Sequence, residues 1–221
     1  MFRHYQKTYR IIIPEISVHG KHTLSKDEVK RLLGAKVVVE EKMDGANTGI
    51  IRHKKGFSLQ KKGSLVAQSE HAQFGFFHNW ANHQNYDKIM AIPVGYLVYT
   101  ELLFAIHTIY YDILPDYVLV IDIWNGKKYL NRKEKDEFCE KYGFYQVPLI
   151  AEDYFSIDEL HGLIPKESQY GDIAEGIVIK RYRKKEYMRG KIVKKEFMKF
   201  LDKSDHWTKN LLKRNRINES S

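Results

Sequence analysis

Lys42 is the residue of this sequence whose surroundings most clearly suggest chemistry. It ends the hydrophobic run KVVVEEK, and Asp44-Gly45, a pair typical of tight turns, follows before a second apolar run begins at Thr48. We expect such a lysine to lie partly desolvated at the edge of a pocket. Burial and nearby positive charge disfavour the ammonium form, so the lysine can act as a nucleophile. Alone, K-x-D-G is a weak signal, because any exposed hairpin can carry it.

Further charged residues lie at the ends of other predicted strands. Glu101 ends the run YLVYTE, Glu175 opens EGIVIK, Lys180 closes that same run, and Lys191 opens KIVKK. Carboxylates at strand edges beside several lysines can hold a nucleoside triphosphate and its metal ion, with the lysines facing phosphates. Five such pieces in one order are hard to explain as solvated strand ends.

The elements that must position these residues are mostly short strands rich in β-branched residues and often bounded by glycine. We predict strands over Lys36–Lys42, Thr48–Arg52, Gly56–Gln60, Tyr96–Leu103, Tyr117–Trp124 and Ile173–Arg181. An α+β fold of antiparallel sheets with flanking short helices follows. A doubly wound sheet is disfavoured, because there is no regular βαβ rhythm and no glycine-rich phosphate loop.

Helices are predicted at three capping patterns, which begin at Ser25, Asn131 and Ser156 and each carry a glutamate three residues later. A further helix is predicted over Glu70 to Asn82. The Asn125-Gly126 pair predicts a hairpin turn.

Net charge divides the chain unevenly. The 221 residues carry a formal charge of +9. Residues 180–221 hold 15 lysines and arginines against 5 aspartates and glutamates, so the whole excess lies there. This asymmetry predicts a polyanionic partner for that end of the chain. We expect one domain over residues 1–200 and a basic helical tail over residues 201–221.

Several protein classes are disfavoured. No apolar run approaches the roughly 18 residues of a membrane span, and Met1 to Arg10 lacks the apolar core of a signal peptide. The single cysteine, Cys139, excludes an intrachain disulfide and a multi-cysteine zinc site. It lies in a helical pattern over Arg132 to Tyr142, so a buried structural thiol is expected. The sequence predicts a soluble, intracellular protein, and we expect a cytoplasmic location.

The order of these motifs resembles the covalent nucleotidyltransferase superfamily, which contains the ATP-dependent ligases and the mRNA capping enzymes. The matching runs are EKMDGAN, YTEL, YVLVIDI, AEGIVIK and GKIVKKEF. Asn47 after DGA, the HTIYYDILPDY segment and the final F…HW…N pattern look most like RNA ligases, and among these the nick-joining or repair branch. The resemblance implies an ATP-grasp-like nucleotidyltransferase domain of the ligase type. It implies no OB domain, because only 24 residues follow Phe197.

The resemblance also implies a reaction in three steps. Lys42 attacks the α-phosphate of ATP and releases pyrophosphate, AMP passes to a 5′-phosphate, and a 3′-hydroxyl then displaces AMP. The implied cofactors are ATP and Mg²⁺ or Mn²⁺. The implied partner is RNA, as a nicked duplex or broken ends, with DNA left open. A monomer or a homodimer is expected.

Residue roles follow from the resemblance. The catalytic set is Lys42, Lys191 and Glu175, in which Lys191 orients the α-phosphate and Glu175 assists the metal. The nucleotide would be bound by residues that line the base, ribose and phosphate sites, namely Glu41 (adenine), Asn47 (phosphate or ribose), Glu101 (ribose), Lys62, Ile121, Lys180 and Lys194.

Three of these residues depart from the family pattern. Lys62 stands where an arginine is usual, and it supplies charge without a planar fork. Ile121 stands where an aromatic residue usually stacks on adenine, and it offers no π face. The lysines of the run GKIVKK are three and four residues apart, so Lys194 is a second candidate beside Lys191 for the phosphate.

Other functions remain open from the sequence. DNA ligase and capping guanylyltransferase are alternatives within the superfamily. A nucleic-acid-binding module with degenerate motifs is an alternative outside enzymes. The enzyme is favoured because the motif residues are intact, namely Lys42, Asp44, Gly45, Glu101, Glu175 and Lys191.

Overall fold

The computed structural model describes residues 3–13, 22–67, 72–183, 186–197 and 212–218. Its strands are, in chain order, β1 (Tyr9–Arg10), β2 (Val37–Glu41), β3 (Ala46–His53), β4 (Gly56–Lys61), β5 (Ser64–Leu65), β6 (Leu97–Leu102), β7 (Val118–Trp124), β8 (Leu149–Asp153), β9 (Gly176–Arg183) and β10 (Glu186–Val193). Its α-helices are α1 (Lys26–Leu33), α2 (Ala72–Asn79), α3 (Tyr86–Ala91), α4 (Arg132–Tyr142) and α5 (Ile157–Gly162).

The strands form two five-stranded sheets. The first sheet has the order β1-β10-β9-β2-β8, and the second has the order β5-β4-β3-β6-β7. All pairs are antiparallel except β1 with β10. This arrangement confirms the predicted α+β fold with antiparallel sheets and short helices.

The three predicted helix starts are present as complete capping boxes. Ser25, Asn131 and Ser156 each accept a hydrogen bond from the backbone of the glutamate three residues later, and that glutamate's side chain caps in return. The helix predicted over Arg132 to Tyr142 has those bounds. Cys139 on this helix is buried, and burial raises the pKa of its thiol to about 12, so the prediction of a buried structural thiol is confirmed.

Most predicted strands agree with the structure to within two residues at each end, and two predicted elements differ by three residues at one end. The strand predicted from Ile173 begins at Gly176, because its pairing with β10 begins there, opposite Val193. The helix predicted up to Asn82 ends as α2 at Asn79 and continues as a π-helical turn, Trp80–Gln84. Glu70, its predicted first residue, lies outside the described residues.

Helices cover one face of the second sheet and build its core. Phe77, Trp80 and Phe138 are buried against sheet residues such as Ile50 and Val98. A separate core lies between the first sheet and helices α1 and α5. Each sheet therefore packs against its own set of helices and has its own hydrophobic core.

The connection between β2 and β3 carries the chain from the first sheet to the second, and it contains Lys42, Asp44 and Gly45. The predicted nucleophile thus lies where the two sheets meet, and strands of both can contribute side chains to it.

The described part of the tail, residues 212–218, is extended, so the predicted helix is not found there. Arg214 forms an isolated β-bridge with Ala105, and Ile217 forms one with Leu114. Both partners lie in the long connection between β6 and β7. Residues 198–211, including His206-Trp207 and the proposed domain boundary, lie outside the described residues. No helix in the described part of the chain is long and apolar enough to cross a membrane.

Candidate active site

A cavity of about 320 Å³ lies where the two sheets meet. It is lined by eight of the ten residues that the sequence singled out, namely Glu41, Lys42, Asn47, Lys62, Glu101, Ile121, Lys180 and Lys191. These residues come from β2, β3, β6, β7, β9, β10 and two connections. The fold therefore gathers motifs that are far apart in the chain.

Lys42 is held by a carboxylate at the cavity. Its Nζ lies 2.5 Å from Glu175 Oε2, and its backbone N–H donates to Gly176 O at 3.0 Å. Glu175 contacts Lys42 but is not one of the residues that line the cavity. Its side chain is 7% exposed, so it pairs with Lys42 out of water.

This pairing overturns the expectation of a lysine poised as free amine. Burial acts to lower the pKa of Lys42, but the negative charges of Glu175 and Glu101 act against it, and the pKa lies above its ordinary value. The sequence did not show that two carboxylates converge on Lys42. Before it can attack a phosphate, the ammonium must pass its proton to a base, and Glu175 is the base in contact.

The two carboxylates near Lys42 are themselves perturbed. Burial raises the pKa of both Glu101 and Glu175 to about 7, although the charge of Lys42 acts against it. Repulsion from Asp44 acts with burial in both cases. The site thus holds more negative charge than Lys42 neutralises.

This excess of negative charge fits a divalent cation that is bound by few protein carboxylates. Within the described ranges, no three His, Cys, Asp or Glu side chains are grouped to ligate one metal ion. Mg²⁺ commonly binds through one or two carboxylates and completes its shell with phosphate oxygens and water. Glu175 and Glu101 fit that mode, whereas a cage made of protein ligands alone does not fit.

Asp44 and Gly45 fix the turn after Lys42. Asp44 Oδ2 accepts hydrogen bonds from the backbone N–H groups of Thr108 and Ile109, at 2.7 and 2.9 Å. The Asp44 N–H donates to Tyr111 Oη at 2.8 Å. A Cβ on Gly45 would lie 2.6 Å from a carbonyl oxygen of β6, so only glycine lets the turn approach that strand. The sequence did not single out Tyr111 for this contact.

Lys191 lines the cavity from β10, opposite Lys42. Burial, followed by the positive charge of Lys42, lowers the pKa of Lys191 to about 8. Arg10 and Lys62 act in the same direction and Glu175 acts against it, so several positive charges lie close together at this part of the site. Convergent cations of this kind are suited to a polyphosphate.

Lys194 is the one predicted residue that the structure places elsewhere. Its Nζ donates to Pro165 O at 3.2 Å and to Lys166 O at 3.0 Å, and it does not line the cavity. Lys194 is three residues after Lys191 and follows the end of β10 at Val193, so strand alternation does not place it on the same side as Lys191. Lys194 thus lies outside the cavity lining, and its contact with the nucleotide stays a prediction.

Lys180 lines the cavity, but its ammonium group forms buried ion pairs with two carboxylates. Its Nζ lies 2.6 Å from Glu40 Oε2 and 3.1 Å from Asp122 Oδ1, and it donates to the Ile121 carbonyl at 2.5 Å. Lys135 also pairs with Glu40. The structure therefore places Lys180 in the floor of the cavity, where it holds β2, β7 and β9 together, and not facing a phosphate.

Glu41 and Ile121, which the resemblance assigns to the adenine, both line the cavity. Glu41 Oε2 accepts from the Gln169 N–H at 3.0 Å, and burial raises the pKa of its carboxyl group. Asn47 pairs with Glu101 across β3 and β6, which places both side chains at the same level of the cavity. Lys62, in the β4–β5 turn, is more exposed at the rim.

The N-terminal segment supplies a wall that the sequence did not predict, formed by Tyr5, Gln6, Lys7 and Thr8. Tyr5 donates to Asp122, and the Arg189 guanidinium lies 3.6 Å above its ring. Tyr5 packs beside Ile121 in one cluster, so an aromatic ring is present at this wall although Ile121 has none. The sequence feature that could have indicated this wall is the alternation of basic and aromatic residues over residues 1–10.

Comparisons with known proteins show which families and structures this chain is similar to. A family model described as RNA ligase matches residues 35–196. A search of curated proteins finds no match.

Solved structures share the fold at low sequence identity. A Naegleria gruberi RNA ligase, as an apo mutant, superposes with a TM-score of 0.62 at 13% identity and covers 80% of this chain and 55% of its own. A mutant of that ligase with ATP and Mn gives 0.61 at 14% identity, covering 80% and 54%. A mutant with AMP and Mn gives 0.60 at 13%, covering 78% and 54%. The chain thus spans about half the length of these proteins.

Proposed function

The chain belongs to the RNA ligase family, and we propose that it joins RNA ends with ATP through a lysyl-AMP formed at Lys42. The observation that carries this proposal is the convergence of Lys42, Glu101, Glu175 and Lys191 on one cavity. The solved neighbours with ATP or AMP and Mn support the choice of nucleotide and metal.

In the first step, Lys42 Nζ attacks the α-phosphorus, an N–P bond forms, and the bond to the pyrophosphate leaving group breaks. The ammonium first transfers a proton to Glu175, 2.5 Å away. Lys191 stabilises the negative charge that moves onto the pyrophosphate leaving group as the bond breaks. A bound Mg²⁺ or Mn²⁺ would be held by the Glu175 carboxylate once that proton has passed to solvent, and it would neutralise phosphate charge.

The nucleotide is oriented by the other end of the cavity. Glu41 and Ile121 contact the adenine, Glu101 the ribose hydroxyls, and Asn47 the ribose or phosphate. Because Lys62 lies at the rim, it contacts the outer phosphates. The AMP then moves to an RNA 5′-phosphate, and a 3′-hydroxyl attacks the activated end and expels AMP.

The direct test is covalent labelling with α-labelled ATP and Mg²⁺, followed by denaturation. Wild type should retain an acid-labile label, and Lys42→Ala should retain none. Lys191→Ala should lose most of the label, whereas Lys194→Ala should keep it, because Lys194 does not line the cavity. Absence of label in wild type with either metal would refute the proposed activity, and labelling by GTP alone would indicate capping.

The proposed substrate is nicked duplex RNA, since the motif pattern resembles the nick-joining branch. Sealing of nicked RNA, nicked DNA and single-stranded RNA should be compared in parallel, with nicked RNA joined fastest. A faster rate on nicked DNA would assign the chain to DNA joining. The exposed Lys213 and Arg214 in the tail are proposed to guide phosphates, whereas Lys209 lies outside the described residues.

A further inference from the structure

The C-terminal segment 212–218 lies outside the part of the chain that the family model matches. It runs alongside the loop that connects β6 to β7. Five backbone hydrogen bonds join the two, from Asn215 N to Phe104 O, Ile106 N to Lys213 O, Arg216 N to Tyr111 O, Leu114 N to Arg216 O and Asn218 N to Leu114 O. The segment is thus joined to this loop along its backbone.

Asn215 is the side chain of this segment that enters the protein. It is 1% exposed, and its Oδ1 accepts from the Tyr111 N–H at 2.9 Å. Its Nδ2 donates to the carbonyls of Leu103 at 2.7 Å and Ala105 at 3.4 Å. One side chain therefore ties together both limbs of the loop, and buried amides of this kind are costly to leave unpaired.

The same loop holds the turn that carries Lys42. The fully buried Tyr111, whose N–H Asn215 binds, accepts from the Asp44 N–H through its hydroxyl. The loop N–H groups of Thr108 and Ile109 both donate to Asp44 Oδ2. A continuous path of hydrogen bonds thus leads from Asn215 through Tyr111 to Asp44, two residues from Lys42.

From these contacts we infer that Asn215 is a positioning residue for the nucleophile, acting through Tyr111 on the Asp44 turn. The inference rests on the proposed function. An error of about 1 Å in the position of a reacting group can cost about 100-fold in rate. Asn215 does not line the nucleotide cavity, and neither does Tyr111. Loss of Asn215 should therefore slow the attack on ATP and leave its binding almost unchanged.

The test measures lysyl-AMP formation in single turnovers with α-labelled ATP. For Asn215→Ala we expect a maximal rate that is about 10- to 100-fold lower, with a half-saturating ATP concentration within about twofold of wild type. Arg216→Ala is the matched control, because Arg216 is exposed and contributes to the loop through its backbone. It should retain the wild-type rate.

A double-mutant cycle separates positioning from general destabilisation. Tyr111→Phe removes the hydroxyl that accepts from Asp44 and keeps the buried ring. If Asn215 acts through Tyr111, the double variant should be no slower than the slower single variant. Rate losses that multiply, or an Asn215→Ala effect confined to ATP binding, would overturn the inference.

Folding is checked by thermal unfolding of each variant. If Asn215→Ala does not fold, Asn215→Ser takes its place in the cycle and the same two outcomes decide. The proposed function is tested separately by wild type. A wild type that fails to label refutes the activity, whereas a labelling wild type with an unaffected Asn215 variant refutes only the positioning role.

Discussion

Lys191 is predicted to make nucleotide binding depend on pH in a range where lysines are ordinarily fully charged. Its pKa is lowered to about 8 by burial and then by the charge of Lys42. At that pKa, about 90% of the side chain is charged at about pH 7 and about 10% at about pH 9. A lysine with an ordinary pKa would still be about 95% charged at about pH 9.

The perturbation is Lys191→Arg, because a guanidinium stays charged throughout this range. If the charged form of Lys191 is the one that binds phosphates, wild type should lose roughly tenfold in affinity between about pH 7 and pH 9 beyond any loss in the variant. The carboxyl groups of Glu101 and Glu175, whose pKa values are about 7, also ionise here. They are common to both proteins, so their effect cancels in the ratio.

The assay is equilibrium binding of α,β-methylene ATP, in which the bond that Lys42 would break is inert. This choice separates binding from deprotonation of Lys42. The ratio of the wild-type Kd to the Lys191→Arg Kd should rise roughly tenfold over the range. A constant ratio would show that Lys191 is not the titrating contact, and the reasoning from its burial would be refuted.

Two further predictions concern stability and the turn. Lys135→Met removes one of two buried partners of Glu40 and should lower the free energy of unfolding by about 3 kcal/mol. Lys133→Met, on the exposed side of the same helix, should change it by less than about 0.5 kcal/mol in urea denaturation; equal losses would contradict the role of the buried pair. Gly45→Ala places a Cβ 2.6 Å from a backbone oxygen and should reduce lysyl-AMP labelling at least about tenfold. Gly75→Ala, whose Cβ would meet no atom within 4 Å, should leave labelling unchanged, and similar labelling by both variants would show that the turn tolerates a side chain.

Local structure was predictable wherever it depends on residues close in the chain. A capping box needs two side chains three residues apart, so Ser25, Asn131 and Ser156 could be recognised in the sequence. The central strands were recognised from β-branched runs. The strand predicted from Ile173 was too long, because pairing with β10 begins only at Gly176.

The candidate site was predictable in composition and less so in geometry. Lys191 and Lys194 are equivalent in sequence, and the end of β10 at Val193 separates them. Lys180 was expected at a phosphate, but it forms ion pairs with Glu40 on the neighbouring strand β2 and with Asp122 on β7 of the other sheet. These partners come together through strand pairing and sheet packing, which sequence spacing does not report.

The sequence by itself determined the family, since the motifs around Lys42, Glu101, Glu175 and Lys191 lie within residues 35–196, which the RNA ligase family model matches. Tertiary structure sets the charge state of Lys42, because burial and the approach of Glu175, which directly precedes β9, act on the pKa of Lys42 in opposite directions. It also brings Asn215 to the loop behind the nucleophile. Both effects depend on contacts between residues more than 100 positions apart, and no local pattern in a chain encodes distances of that kind.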